Sequence, residues 1–220
     1  MEKLRILLAK EFTLELRQTS VISGLALYLF SIVFICYLTF SLRENLITPL
    51  VWGALFWITI LFTIINTVAK SFIGERKGKD IYYYSIVSPQ LIILSKIIYN
   101  FLLGTILSSA GFILFALFLN NPVANLSLFF LLIILTSWGF AASLTLLSGI
   151  AAKADNSNIL MAVLSFPVVI SILLTAVKVT KNILDGIDPS FSIDELASLV
   201  AINCLVTAAS YLLFPYLWRN

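Results

Sequence analysis

The densest run of residues able to do chemistry is Gly74-Glu75-Arg76-Lys77-Gly78-Lys79-Asp80. Glycines around basic residues invite comparison with a phosphate cradle, and the spacing rules that out. A phosphate-binding loop needs four residues between its glycines, a closing Lys-Ser or Lys-Thr, and a strand ahead of it. Here three residues lie between Gly74 and Gly78, Asp80 follows Lys79, and nothing upstream reads as a strand. Nucleotide chemistry must therefore come from another chain. What the run does offer is mixed charge beside aromatics, because Ile81-Tyr82-Tyr83-Tyr84-Ser85-Ile86-Val87 follows at once. Arginine and tyrosine dominate contact energies at protein interfaces, so this piece suits a partner's groove. It equally suits a basic loop on anionic lipid, with its tyrosines in the interfacial belt.

A second group is the acid pair Glu11 and Glu15. At i and i+4 on a helix they project together. Residues 2–19 read as an amphipathic interfacial helix, with Leu4, Leu7, Leu8, Phe12 and Leu16 on one face and Lys3, Lys10, Thr13 and Arg17 on the other. Both carboxylates fall within the apolar arc, where a charge needs a partner or a polar neighbour. Either they dock on a basic residue of another cytoplasmic segment or of another subunit, or the helix rolls and leaves them in the headgroup layer.

Elsewhere the chemistry is sparse. There is no histidine, and Cys36 and Cys204 are lone thiols in apolar runs, without disulfide or metal spacing. The apolar runs hold no nucleophile–base pair or metal set, so the expectation is a non-enzyme that binds no cofactor and no metal directly. With a net charge of only +3, nothing calls for a nucleic-acid partner.

These residues are positioned by a chain that is 60% hydrophobic and 11% charged, a balance suited to lipid rather than to water. The N-terminal charges continue through Arg17 and no cleavage site follows the first apolar run, so no signal peptide is expected. A hydrocarbon core of about 30 Å takes roughly 20 helical residues. Six runs qualify: Val21–Phe40, Leu50–Ala69, and stretches within Ile97–Leu119, Leu126–Ile150, Ile159–Val177 and Leu196–Leu217. They are too long and too evenly apolar for barrel strands. The fold class expected is therefore all-α: a polytopic membrane protein of six transmembrane helices preceded by the interfacial helix. A single domain is expected over 1–220, with the amphipathic helix at 1–20 and a cytoplasmic loop at 71–95.

Basic residues set the orientation. Lys3, Arg5, Lys10, Arg17, Lys70, Arg76, Lys77, Lys79, Lys96, Lys153 and Arg219 fall on one side, and Arg43, Lys178 and Lys181 on the other. Eleven against three places both termini in the cytoplasm. Lys70, Lys96 and Lys178 sit at span ends, where they can snorkel. The absence of mid-depth charge argues against an ion-coupled transporter. Gly104, Ser108 and Gly111, and Gly139 with Ser143, suit close helix packing. Asn66 and Asn203 are expected to make interhelical hydrogen bonds, and Trp52, Trp57 and Trp138 to pack or anchor rather than to stack on a ligand. Ser88 can cap a helix that begins at Pro89. Pro167 interrupts the fifth run and is a hinge candidate.

Four fragments carry a resemblance: LLAKEFTLELRQ near the start, PLVWGALFWITILF at Pro49–Phe62, SPQLIILSK at Ser88–Lys96, and VLSFPVVIS at Val163–Ser171. With six spans in a chain of this length, the sequence resembles the cytochrome c maturation protein B family, also called haem exporter protein B, over essentially its whole extent. The resemblance implies an ABC-2-like permease subunit of the bacterial inner membrane. Its implied partners are a separate ABC ATPase subunit that binds the ATP, a haem-handling membrane protein and a small accessory subunit. It implies a role in haem delivery, or in release of a haem-loaded chaperone, with the haem held by the partners. The short loops at 41–49 and 120–125 are too small to build a haem platform. The resemblance makes Glu75, Arg76, Lys79, Asp80, Tyr82, Tyr83 and Tyr84 the candidate ATPase-coupling residues, with Glu11, Glu15 and Arg17 of the interfacial helix in support. The alternatives are an exporter of lipid, glycan or drug on the same architecture, or a membrane scaffold without an ATPase.

Overall fold

The computed structural model describes residues 2–17, 19–41, 47–68, 72, 87–152 and 157–219. Among these, all long elements are α-helices: α1 (Glu2–Arg17), α2 (Thr19–Ser41), α3 (Pro49–Val68), α4 (Pro89–Phe118), α5 (Leu126–Ala151), α6 (Ser157–Leu184) and α7 (Ile193–Arg219), with a 3-10 turn at Pro189–Ser192 before α7. The helices α2 to α7 are long and apolar enough to cross a bilayer, which makes this an all-α, multi-pass membrane protein.

Local chemistry sets the helix starts. Thr48 Oγ1 accepts the Val51 N–H at 3.3 Å just ahead of Pro49. Asn125 Oδ1 accepts the Leu128 N–H at 3.1 Å ahead of α5. Pro89 opens α4 in the first turn, where its missing N–H costs nothing, while Ser88 stands in extended backbone without a side-chain cap bond. At the far end of α4 the chain reverses through Asn120 at φ 61°, a left-handed conformation that asparagine tolerates.

Burial ranks the helices. Of the α5 span 67% is buried, against 11% for α2, so α5 is the axis of the bundle and α2 its most lipid-facing member. The core beside α5 is aromatic. Trp52 stacks on Phe56 at 5.5 Å and meets Phe112, Phe115 and Phe129 at 5.6 to 6.3 Å. The three expected packing tryptophans all have polar partners for their indoles: Trp52 donates to the Asn120 carbonyl at 3.1 Å, Trp57 to Thr180 Oγ1 at 2.8 Å, and Trp138 to Thr207 Oγ1 at 3.1 Å. Trp57 and Trp138 tie one helix to another, and Trp52 ties α3 to the turn that follows α4. Trp57→Phe keeps most of the ring and loses the bond to Thr180, whose hydroxyl still bonds the Ala176 carbonyl at 2.8 Å, so a loss of about 1 kcal/mol is expected in a denaturant titration in mixed micelles.

Several hydroxyls in the lipid-spanning helices are satisfied inside their own helix, as Thr59, Thr63 and Thr67 show by bonding the carbonyls four residues back at 2.7 to 2.8 Å, whereas the buried hydroxyls of Thr136 and Ser143 in α5 have no hydrogen-bond partner. Other polar groups cross between helices. Asn100 Nδ2 donates to Thr145 Oγ1 at 2.8 Å, Ser108 and Ser137 lie 3.4 Å apart, and Asn203 Nδ2 donates to the Leu135 carbonyl at 2.8 Å. The small residues Gly104, Ser108, Gly111, Gly139 and Ser143 are all buried at helix contacts, as their spacing predicts.

Several details differ from the sequence-based reading. Asn66 lies on the exposed face of α3, because the buried stripe of that helix runs through Thr59, Thr63 and Thr67 instead. A helix does begin at Pro89 as expected, but it is continuous with the third span, so residues 89–95 belong to α4 rather than to the loop expected at 71–95. The fifth continues to Leu184, because Lys178 and Lys181 lie on an exposed helical surface that needs no break. Pro167, the hinge candidate, lies inside α6 on its exposed side, and Ser171 Oγ donates to its carbonyl at 3.3 Å.

At the end of the bundle remote from α1, Lys178 pairs with Glu195 at 2.6 Å, joining α6 to the first turn of α7. There Asp194 and Glu195 also complement the helix N-terminus. Asp188 accepts from Ser190, whose hydroxyl and N–H hold the carboxyl below the usual carboxylate range.

Candidate coupling surface

The opposite end is built around α1. Its heptad-like run of leucines makes a helix with one face to bury, and that face meets α4. Leu7 is buried there, and Glu11, one turn on, points the same way. Glu11 Oε2 lies 3.5 Å from Lys96 Nζ, and Glu11 Oε1 lies 3.1 Å from Lys10 Nζ. The Glu11 side chain is 13% exposed and that of Lys96 only 1%. Of the two readings of the acid pair, docking is the one realised for Glu11. Lys96 consequently does not snorkel to water as expected of a span-end lysine. Its side chain is buried, and its ammonium lies beside the Glu11 carboxylate instead. Its ammonium also stands 4.8 Å from the centroid of the Phe72 ring, a favourable cation–π distance. Beside this pair, Phe12, the residue after Glu11, meets Tyr99 of α4 edge-on at 5.0 Å.

Phe72 is the last described residue before 73–86, and Val87 is the first after it. Both pack on one apolar cluster formed by Ile92, Ile93 and Ile97 of α4, Ala142 of α5 and Phe214 of α7. Phe72 touches Phe214 ring to ring at 5.4 Å, and Gly149 of α5 gives the room for this pair. The two feet of the 73–86 segment therefore stand together on helices α4, α5 and α7, with the buried Lys96–Glu11 pair against one of them.

Glu75, Arg76, Lys79, Asp80, Tyr82, Tyr83 and Tyr84 lie outside the described residues. Glu15 and Arg17 lie in α1, with side chains outside the described set. The structure brings Glu11 to the foot of the segment. Sequence reasoning missed Lys96 and Phe72 as members of this site. The signal available was Lys96 itself, a charge eight residues into a helix whose later part is apolar.

The family model that matches this chain is that of the CcmB protein, over residues 2–215. The chain belongs to the CcmB family. No individual curated protein matches it. CcmB membership makes it a membrane permease-type subunit and a component of haem export in the biogenesis of c-type cytochromes, and it places the chain in a multi-subunit assembly. The matched range takes in the whole of the surface just described, from α1 through the 73–86 segment to Phe214 of α7. In this CcmB-family chain the described residues of the surface form no acid–base or nucleophilic arrangement. What the described residues show is a packing arrangement: Phe72 and Val87 rest on one apolar cluster, and Lys96 of α4 pairs with Glu11 of α1 beside Phe72.

Proposed function

We propose that this chain is the transmembrane subunit of an ABC-type complex, coupling ATP hydrolysis on a separate ATPase subunit to haem delivery or to release of a haem-loaded chaperone. It acts as a single permease domain over residues 1–220 in the bacterial inner membrane, with both termini in the cytoplasm. ATP is held by the ATPase subunit, and haem by a haem-handling membrane protein that works with a small accessory subunit. The observation that carries this reading is the shared footing of residues 73–86: a push on that segment reaches α4, α5 and α7 together through Phe72 and Val87. Residues Glu75, Arg76, Lys79, Asp80 and Tyr82 to Tyr84 meet the ATPase, Glu11, Glu15 and Arg17 support them, and Pro167 serves as a hinge in α6. Such coupling requires contacts that differ between two states of the complex.

Glu75→Lys combined with Arg76→Glu tests it. The double variant is expected to reach the membrane in normal amount, to lose most covalent haem in c-type cytochromes, and to retain less ATPase subunit on purification in mild detergent. Normal assembly together with normal cytochrome maturation would remove the coupling role from this segment. Tag accessibility that placed Tyr83 on the external surface would remove it as well, since no cytosolic ATPase could reach it.

A further inference from the structure

The corner between α6 and α7 stands past the hydrocarbon. Lys178 and Glu195 meet at 2.6 Å, and on the bundle side of this pair both helices are apolar. From Lys178 the helix α6 runs on to Leu184, a further rise of about 9 Å. The chain then turns and comes back through Pro189–Ser192. What it shows there is apolar: Phe191 is 71% exposed, Ile193 59% and Ile187 42%. Acyl chains do not reach past the charged pair, and large exposed apolar groups with a polar rim mark interaction sites. Nor is the corner a loose loop. Gly186 closes α6 at φ 67°, with the Ile187 N–H donating to the Asn182 carbonyl at 3.0 Å. In such a closure the residue at the place of Ile187 commonly packs on an apolar side chain one turn back. Here that turn offers Lys181 and Asn182, and Asn182 is engaged, donating to Ser192 Oγ at 3.1 Å. The Asp188 carboxylate accepts the Ser190 N–H at 2.9 Å, and the Phe191 N–H donates to the Asp188 carbonyl at 3.1 Å. The aromatic is therefore held out on a fixed backbone, which lowers the ordering cost of binding.

Charge selects the occupant. Over residues 178–195 four carboxylates stand against two ammonium groups, and Asp185, Asp188 and Asp194 are all exposed. Such a rim repels an anionic lipid surface and draws a cationic polypeptide. We propose that Ile187, Phe191 and Ile193 form a docking knob for an extramembrane segment of a partner polypeptide, one that offers an apolar pocket flanked by lysine or arginine. Phe191 is the anchor, because an aromatic seated in a pocket carries much of the energy of such contacts. The acids set the approach and the register. The knob stands at the end of the bundle remote from α1, and on the orientation proposed above it faces the outside.

The test puts the photo-reactive residue p-benzoylphenylalanine in place of Phe191, in the full chain and in membranes that hold the whole assembly. Irradiation is expected to join it to one polypeptide, at an extramembrane stretch where apolar residues adjoin lysine or arginine. Asp185→Lys combined with Asp194→Lys is expected to cut the adduct yield by about tenfold at low salt, with the chain still at its normal level in the membrane. With the probe in place of Ile187 instead, Phe191→Ser should abolish the adduct. If the charge-reversed chain fails to accumulate, the Phe191→Ser result decides alone. Adducts only with lipid or with a second copy of this chain, an attachment site without basic residues, or a yield indifferent to these changes would overturn the knob. Orientation is read separately. Lys181→Cys, with Cys36→Ala and Cys204→Ala, should react with a membrane-impermeant maleimide in intact cells. Reaction only in inverted vesicles would count against the orientation and the coupling function, while the adduct would still decide the knob.

Discussion

Gly139→Ala is expected to destabilise the chain by about 2–4 kcal/mol, while Gly104→Ala leaves it unchanged or slightly more stable. The two glycines sit in neighbouring helices and both are buried. A methyl group on Gly104 would meet Ile64 at 3.6 Å and Ser137 at 3.8 Å, which is ordinary contact. The same group on Gly139 would overlap the carboxamide oxygen of Asn203 and stand 3.1 Å from Ile172 Cδ1. Alanine improves helix propensity by up to about 1 kcal/mol at either site, so propensity cannot separate them. Packing does. At Gly139 the α5–α7 crossing must open or Asn203 must turn, and turning it breaks the 2.8 Å bond to the Leu135 carbonyl in a place without water to replace it. Denaturant titration of each variant in mixed micelles, followed by tryptophan fluorescence, checks the contrast. Equal midpoints would mean that α5 and α7 do not cross at Gly139.

Trp52→Ala carries the other large effect, a loss of about 3 kcal/mol, the low end of the range for truncating a large aromatic in a soluble core. The low end applies because lipid solvates the unfolded helices, so little transfer free energy is lost. The cavity remains, with the dispersion contacts of Phe56, Phe112, Phe115 and Phe129 forfeited around it. Trp52→Phe separates two contributions. It fills much of the space and loses only the bond to the Asn120 carbonyl, so a cost nearer 1 kcal/mol is expected. The same titration measures both. A variant with phenylalanine as unstable as the one with alanine would make the indole bond, rather than the volume, the dominant contribution.

The six spans were legible because bilayer length and backbone satisfaction leave an apolar run few alternatives, and the small residues marked the helix contacts correctly. Helix ends were less legible. Lys96 and Lys178 read alike as span-end lysines, yet the first is enclosed by α1 while the second pairs with Glu195 on an exposed surface. The difference lies in which helix packs beside each lysine, and one chain's periodicity does not encode that. Asn66 and Asn203 read alike for the same reason, and only Asn203 faces a neighbour. Within the site, Glu11 announced its need for a partner by standing in an apolar arc. The identity of that partner, 85 positions along the chain, is a tertiary fact.

The 30 residues of α4 make a rod of about 45 Å, well beyond the roughly 30 Å of hydrocarbon it crosses. A helix longer than the hydrocarbon it crosses can tilt to suit lipids of different chain length, and this one, apolar along its whole length, carries Lys96 and its partner Glu11 near one end. Thickening the bilayer draws that end, and α1 with it, toward the acyl region. Reconstitution into lipids of graded acyl length would then be felt first at the α1 end, long before the aromatic core at the other end registers any mismatch.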